Sequence, residues 1–153
     1  MRDIQRLALW ACLLPLLVIA AIGIRDLSAA FFDRRNLADA AFEGTKYGRA
    51  YGYDPTKITE AARAGTTLPN VTVSPLRPCG CTTSEGIVLA QCDAACPGGG
   101  WSQPYIVVVA SICFRPLVNW PGLPYCHSGD SQCAAAGCTS RQLLLSGQSI
   151  EPQ

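Results

Sequence analysis

The hydrophobic pattern divides the chain into two parts. From Ile4 to Ile24 the sequence is nearly uncharged over about 21 residues, the ~20 that a helix needs to cross a bilayer core. Pro15 falls mid-segment, which membrane helices tolerate. The pattern then changes without a break. From Ser28 to Tyr53 the residues Phe31, Leu37, Ala41, Gly44, Gly48 and Tyr51 fall near one helical face. Asp33, Arg34, Arg35, Asp39, Glu43 and Lys46 occupy much of the rest. The expectation is one long helix, apolar in its first half and amphipathic in its second. Gly44, Gly48 and Gly52 recur every four residues. A glycine costs roughly 1 kcal/mol in a helix interior, so the repeat asks for a reason. A flat face against which a sheet or a neighbouring helix packs closely would supply one; loosening of the helix end is the plainer alternative.

Beyond Tyr53 the periods shorten. Asp54-Pro55 reads as an N-cap and first helical position, and Gly65 as the cap that ends TKITEAARA. Leu68–Leu76 alternates as a strand, with Val71 and Val73 on one face. The stretch CGCTTSEGIVLAQCDAACPGGG from Cys79 reads as a turn, a short strand near Ile87–Gln91 and a glycine-rich loop. Tyr105–Phe114 is the strongest strand pattern and Arg141–Ile150 the last. The long loop between them is too long for a plain hairpin, which implies stapling. The expected fold is α+β: the long helix, a short second helix, and a small antiparallel sheet of three to four strands with disulfide-stapled loops. The expected organisation is an anchor over 4–24 and a single extracytoplasmic head over 25–153 that includes the amphipathic half of the first helix.

Cysteine placement sharpens this picture. Of nine cysteines, Cys12 lies in the apolar segment and eight lie in the second half: Cys79, Cys81, Cys92, Cys96, Cys113, Cys126, Cys133 and Cys138. An even set in a Gly/Pro-rich domain beyond an anchor reads as disulfides in an oxidising compartment. Eight cysteines allow 105 pairings, and local spacing suggests only that Cys79 or Cys81 joins Cys92 or Cys96. The flanking charges give no positive-inside bias, so the cysteines set the orientation, with the head outside the cytoplasm. A cleaved signal peptide is the plainer reading of the apolar run. Helical periodicity continuing past Arg25-Asp26 favours a retained anchor.

Candidate chemistry is sparse. A net charge of +1 offers no field for nucleic acid. His127 is the lone histidine, and the cysteine spacings suit zinc poorly. A Cys-His nucleophile pair has no visible orienting group. The string SGDSQ matches a hydrolase fragment by chance, the glycine run Gly98–Gly100 follows Pro97 rather than a strand, and Asn70-Val71-Thr72 fits a glycosylation sequon. No paired acid/base constellation is visible. The expectation is a non-enzymatic protein with no cofactor and no metal.

The stretch CLLPLLVIAAIGIRDLSAAFFDRRNLADAAFEGTKYGRA, from Cys12 to Ala50, resembles the TadE-like minor pilins of the tight-adherence pilus. That family has a run ending LLPLLLLLLLGI, then a polar residue, an aromatic pair and a segment close to LQNAAREGARYA. TKITEAARA with LPNVTVSPLRPCGC looks like the family's short helix, first strand and CxC. PYIVVVASICFRPLVNWPGLP and QLLLSGQSIEPQ look like its central strand, following loop and terminal strand. The resemblance implies a pilin-like fold and a role in pilus assembly at a bacterial inner membrane, single-pass, with the head in the periplasm or at the cell surface. The implied partners are membrane lipid and other pilin-like subunits through the N-terminal helix. A prepilin peptidase is a further implied partner. Against it, Leu9 stands where the family has a glutamate, and no glycine precedes Gly23. The rival expectation is an anchored extracytoplasmic binding module unrelated to pili.

Overall fold

The computed structural model describes the backbone of residues 2–84, 86–127 and 129–153, with side chains from Trp10 onward apart from Cys12. The side chains of the first part of the expected anchor, including Leu9, lie outside the described residues, as do Cys12's side chain and Ser128 of SGDSQ.

The first element is a single helix, α1 (Arg2–Tyr51), of 50 residues that continues through Pro15. It ends at Gly52, whose φ of +90° is reached by glycine at little cost. The Gly52 amide donates to the Gly48 carbonyl at 2.9 Å, closing the last turn. Asp54 then opens α2 (Pro55–Ala64), accepting hydrogen bonds from the Thr56 and Lys57 amides. Gly65 closes it by donating to the carbonyls of Ala61 and Ala62.

Five antiparallel strands follow: β1 (Thr72–Leu76), β2 (Cys79–Thr83), β3 (Gly86–Ala90), β4 (Gln103–Phe114) and β5 (Leu143–Pro152). β4 is the centre. It pairs with β1 on one side and from Tyr105 to Phe114 with β5, and touches β2 at its start; β2 pairs in turn with β3. The fold class is α+β, as the sequence pattern predicts. The sheet exceeds the expected three to four strands because Cys79–Cys81 is a strand and not a turn. Gly80 allows it: a Cβ there would lie 2.9 Å from Ile87 Cγ2 and 3.0 Å from the Val88 carbonyl oxygen, so only glycine fits opposite β3. The first strand is shorter than Leu68–Leu76. Asn70 sits at φ 59°, which interrupts the extended run, although Val71 and Val73 still join the same core. β1 is an edge strand, where Pro75 costs no ladder bond. The last strand starts at Leu143 rather than Arg141, whose φ is 73°. A one-turn helix in the long loop, α3 (Ser131–Ala135), is absent from the pattern-based expectation.

The core lies between the upper half of α1, α2 and the sheet. Leu37, Ala40 and Ala41 of α1, Ile58 and Ala62 of α2, and Ile106, Val108 and Ala110 of β4 are fully buried there. Burying a large aliphatic side chain stabilises by about 1.5–3 kcal/mol. Thr45 is also buried and donates its hydroxyl to the Ala41 carbonyl at 2.7 Å, so its own oxygen is not orphaned. Lower on α1, Leu14, Leu16, Leu17, Val18 and Ile19 are all exposed. Among the described residues this is the one helix long and apolar enough to cross a membrane.

Candidate functional site at the base of the head

One stripe of α1 runs from the unpacked half to the core. Gly23, Asp26, Leu27, Ala30, Phe31 and Arg34 follow one another at alternating spacings of three and one, so they share a face. Leu37, Ala41, Gly44 and Gly48 continue that face upward under the sheet. In the upper part the contact is close. A Cβ on Gly44 would lie 3.0 Å from Ala62 Cβ and 3.2 Å from Val108 Cγ1; on Gly48 it would lie 2.9 Å from Ile106 Cδ1 and 3.0 Å from Ile58 Cδ1. Gly52 does not belong to this face. It lies past the helix end with nothing near its missing Cβ, and its role is the positive φ. A fourth glycine, Gly147 of β5, was not singled out from sequence. A Cβ there would come within 2.6 Å of the Leu37 carbonyl carbon, so strand and helix backbones touch at this point.

Below the sheet the same stripe is covered by the segment Arg115–Tyr125, which leaves β4 and descends along α1. Asp26 holds it. Its Oδ1 and Oδ2 accept from the Leu117 amide at 3.2 and 3.1 Å, and Oδ2 accepts from the Trp120 indole Nε1 at 3.1 Å. The Asp26 side chain is almost inaccessible to solvent. Its pKa lies below the ordinary 3.8, chiefly because the Trp120 N–H donates to the carboxylate. Burial opposes this shift, and the amides of Leu117 and Val118 and the nearby Arg25 charge reinforce it. The segment is also braced internally. The Trp120 amide donates to the Tyr125 hydroxyl at 2.6 Å, and the Cys126 amide to the Gln142 carbonyl at 2.8 Å.

Between α1, this segment and the start of β5 lies an open groove of about 660 Å³. Leu27, Phe31, Phe114, Pro116, Leu123 and Leu145 line it, with Asp26 and Arg34 as its charged residues. Asp26 already accepts three hydrogen bonds from the segment, so the groove suits an apolar chain or surface and offers no acid/base pair.

The eight cysteines form four disulfides. Cys79–Cys92 and Cys81–Cys96 tie β2 to the loop after β3; Cys113–Cys138 and Cys126–Cys133 tie the segment between β4 and β5. Their Cα separations of 5.1 to 5.8 Å lie within the ordinary range. No cluster of metal-ligating side chains occurs among the described residues. His127 is exposed. Asp130 of SGDSQ is the N-cap of α3, accepting from the Gln132 and Cys133 amides. The loop holding Gly98–Gly100 is closed by the Cys96 amide bonding the Gly100 carbonyl at 3.0 Å, and Gly99 and Gly100 both take φ +87°.

Sequence reasoning missed Asp26 and Trp120 as a pair. Asp26 read as one of several flanking charges. Its partners lie 91 and 94 residues on in the chain, so no local signal marks it.

The architecture defines an α+β protein in which one helix serves as the spine of a disulfide-bonded antiparallel sheet and then runs on, unpacked and apolar. No family model, curated protein or solved structure matches the chain.

Proposed function

We propose that the chain is a membrane-anchored minor-pilin-like protein that takes part in assembly of a tight-adherence type pilus, without catalysis. It is a single-pass protein of a bacterial inner membrane, and its head lies in the periplasm or at the cell surface. The observation that carries this reading is the continuity of α1: the residues 13–21 that are exposed and almost wholly apolar and the residues 37–48 that carry the head's core belong to one uninterrupted helix. Such a helix transmits the position of its neighbours in a bundle directly to the head, which is what a subunit assembled by side-to-side helix contacts requires. Four disulfides fit an oxidising compartment. Leu9 in place of the family's glutamate points to a role at the base or tip of the fibre rather than as its repeated subunit.

Deleting the gene tests this. The expected result is loss or shortening of surface pili in electron micrographs, with the protein itself scarce in purified fibres. Pili of normal number and length would overturn the reading. The open groove beside Asp26 favours a second reading, an anchored extracytoplasmic binding module unrelated to pili, which that outcome would leave standing.

A further inference from the structure

We infer that the segment Pro116–Tyr125 is a second membrane contact: it lies in the lipid headgroup region beside the point where α1 leaves the bilayer, and holds the head against the membrane surface. The inference rests on α1 being the anchor proposed above.

Height along the helix is the first observation. The Trp120 ring reaches down to Gly23, where an added Cβ would lie 3.2 Å from Trp120 Cη2. Gly23 precedes Ile24, the last residue of the apolar run. The loop thus descends to the level at which the anchor emerges, and does not stay with the sheet. Its composition is the second. The ten residues from Pro116 to Tyr125 contain no charge, and they supply Trp120 and Tyr125, the residue types enriched at membrane interfaces. Leu117, Val118 and Leu123 are exposed, and across the groove so are Leu27 at 73% and Phe31 at 64%. Together they make an apolar collar around the base of the head, continuous with the exposed face of the anchor.

Charge selects the occupant. The acid nearest the collar, Asp26, spends its oxygens on the Leu117 and Trp120 N–H groups. Arg115 opens the segment and Arg34 lines the groove, and neither is engaged by an acid in the ion pairs of the described residues. An uncharged wedge with cations above it matches a phospholipid surface, with acyl chains below and phosphates level with the guanidinium groups. Asp26 is then a positioning residue, keeping the wedge pressed to the helix.

Three single-tryptophan chains test this in vesicles of phosphatidylethanolamine and phosphatidylglycerol that carry bromine on the acyl chain near the ester. Trp10 and Trp101 are both exposed, so replacing them by phenylalanine leaves the fold intact. In W10F/W101F, Trp120 is expected to lose roughly half its emission, as a side chain seated about 5–10 Å into the headgroup–acyl boundary would. In W10F/W120F, Trp101 on the far loop of the head is expected to keep its emission. In W101F/W120F, Trp10 reports the anchor itself. Trp10 quenched with Trp120 unquenched overturns the second contact and leaves the anchor. Trp10 unquenched overturns the anchor and the inference with it. If neither bromolipid nor aqueous iodide quenches Trp120, the ring is sealed within protein and the lipid assignment falls.

Discussion

The Asp26 carboxylate accepts a hydrogen bond from the Trp120 indole at 3.1 Å, joining two residues 94 positions apart in the chain. With the Leu117 amide it forms a polar link between the lower part of α1 and the descending loop. Because the folded carboxyl has a lowered pKa, it stabilises the folded state at pH above its ordinary value of 3.8. That contribution is lost as pH falls through the lower folded value. Acid should therefore release the loop locally before the disulfide-bonded sheet responds. The check is Leu117 amide exchange and Trp120 emission followed from pH 7 to the acid range. Asp26→Asn should give the loosened state already at neutral pH; a loop equally protected in variant and parent would contradict the assignment.

The glycines separate three physical reasons for the same residue. At Gly48 the two nearest obstructing atoms are the Cδ1 ends of Ile106 and Ile58, and alanine recovers about 1 kcal/mol of helix propensity. Gly48→Ala should therefore be close to neutral, whereas Gly48→Leu overpacks the interface and should cost ~1–3 kcal/mol. At Gly147 the obstruction is the α1 backbone, which cannot give way. Gly147→Ala should cost more than Gly48→Ala and reach at least the upper end of that ~1–3 kcal/mol range. Gly52→Ala should cost about 1–2 kcal/mol through its left-handed conformation alone. Urea unfolding of the four proteins ranks them. A Gly147→Ala protein as stable as the parent would show that strand and helix are not in backbone contact.

Much of this architecture is legible in the sequence, and the failures have a physical pattern. Local signals placed α1, α2 and β4 because each is strong: the helical stripe through Leu37 and Ala41, the Asp54-Pro55 start, and the β-branched run of YIVVVASICF, whose burial alternates from Ile106 to Ala110. β2 was missed because its burial comes from two disulfides and from a glycine pressed against β3, and a Cys-Gly-Cys string carries no hydrophobic alternation. Asp26, Trp120 and Gly147 were missed for a related reason. Their meaning lies in contacts across 94 and 110 residues of chain, and nothing local marks a lone acid or a strand glycine as a contact point.

The disulfides should contribute according to the chain they close. Cys81–Cys96 spans 15 residues and should stabilise the folded state, by restricting the unfolded chain, by about 3 kcal/mol; Cys113–Cys138, spanning 25, somewhat more; Cys126–Cys133, spanning 7, least. Paired Cys→Ser variants, one bridge at a time, measured by thermal unfolding give the order. Non-reduced peptide mapping should recover the pairs 79–92, 81–96, 113–138 and 126–133. Any cross-pairing between the first two and the last two would contradict the topology.

The central claim is that α1 is at once the anchor and the spine, and the mass of the mature protein in the membrane tests it most directly. Membranes are stripped with alkaline carbonate, and the protein that remains is measured intact by mass spectrometry. The account predicts a carbonate-resistant protein that retains the residues 10–24, and loss of that fraction in Val18→Arg, since a central arginine costs about 2.5–3.5 kcal/mol of insertion energy. A soluble mature form beginning near Ser28, with the head intact, would contradict it.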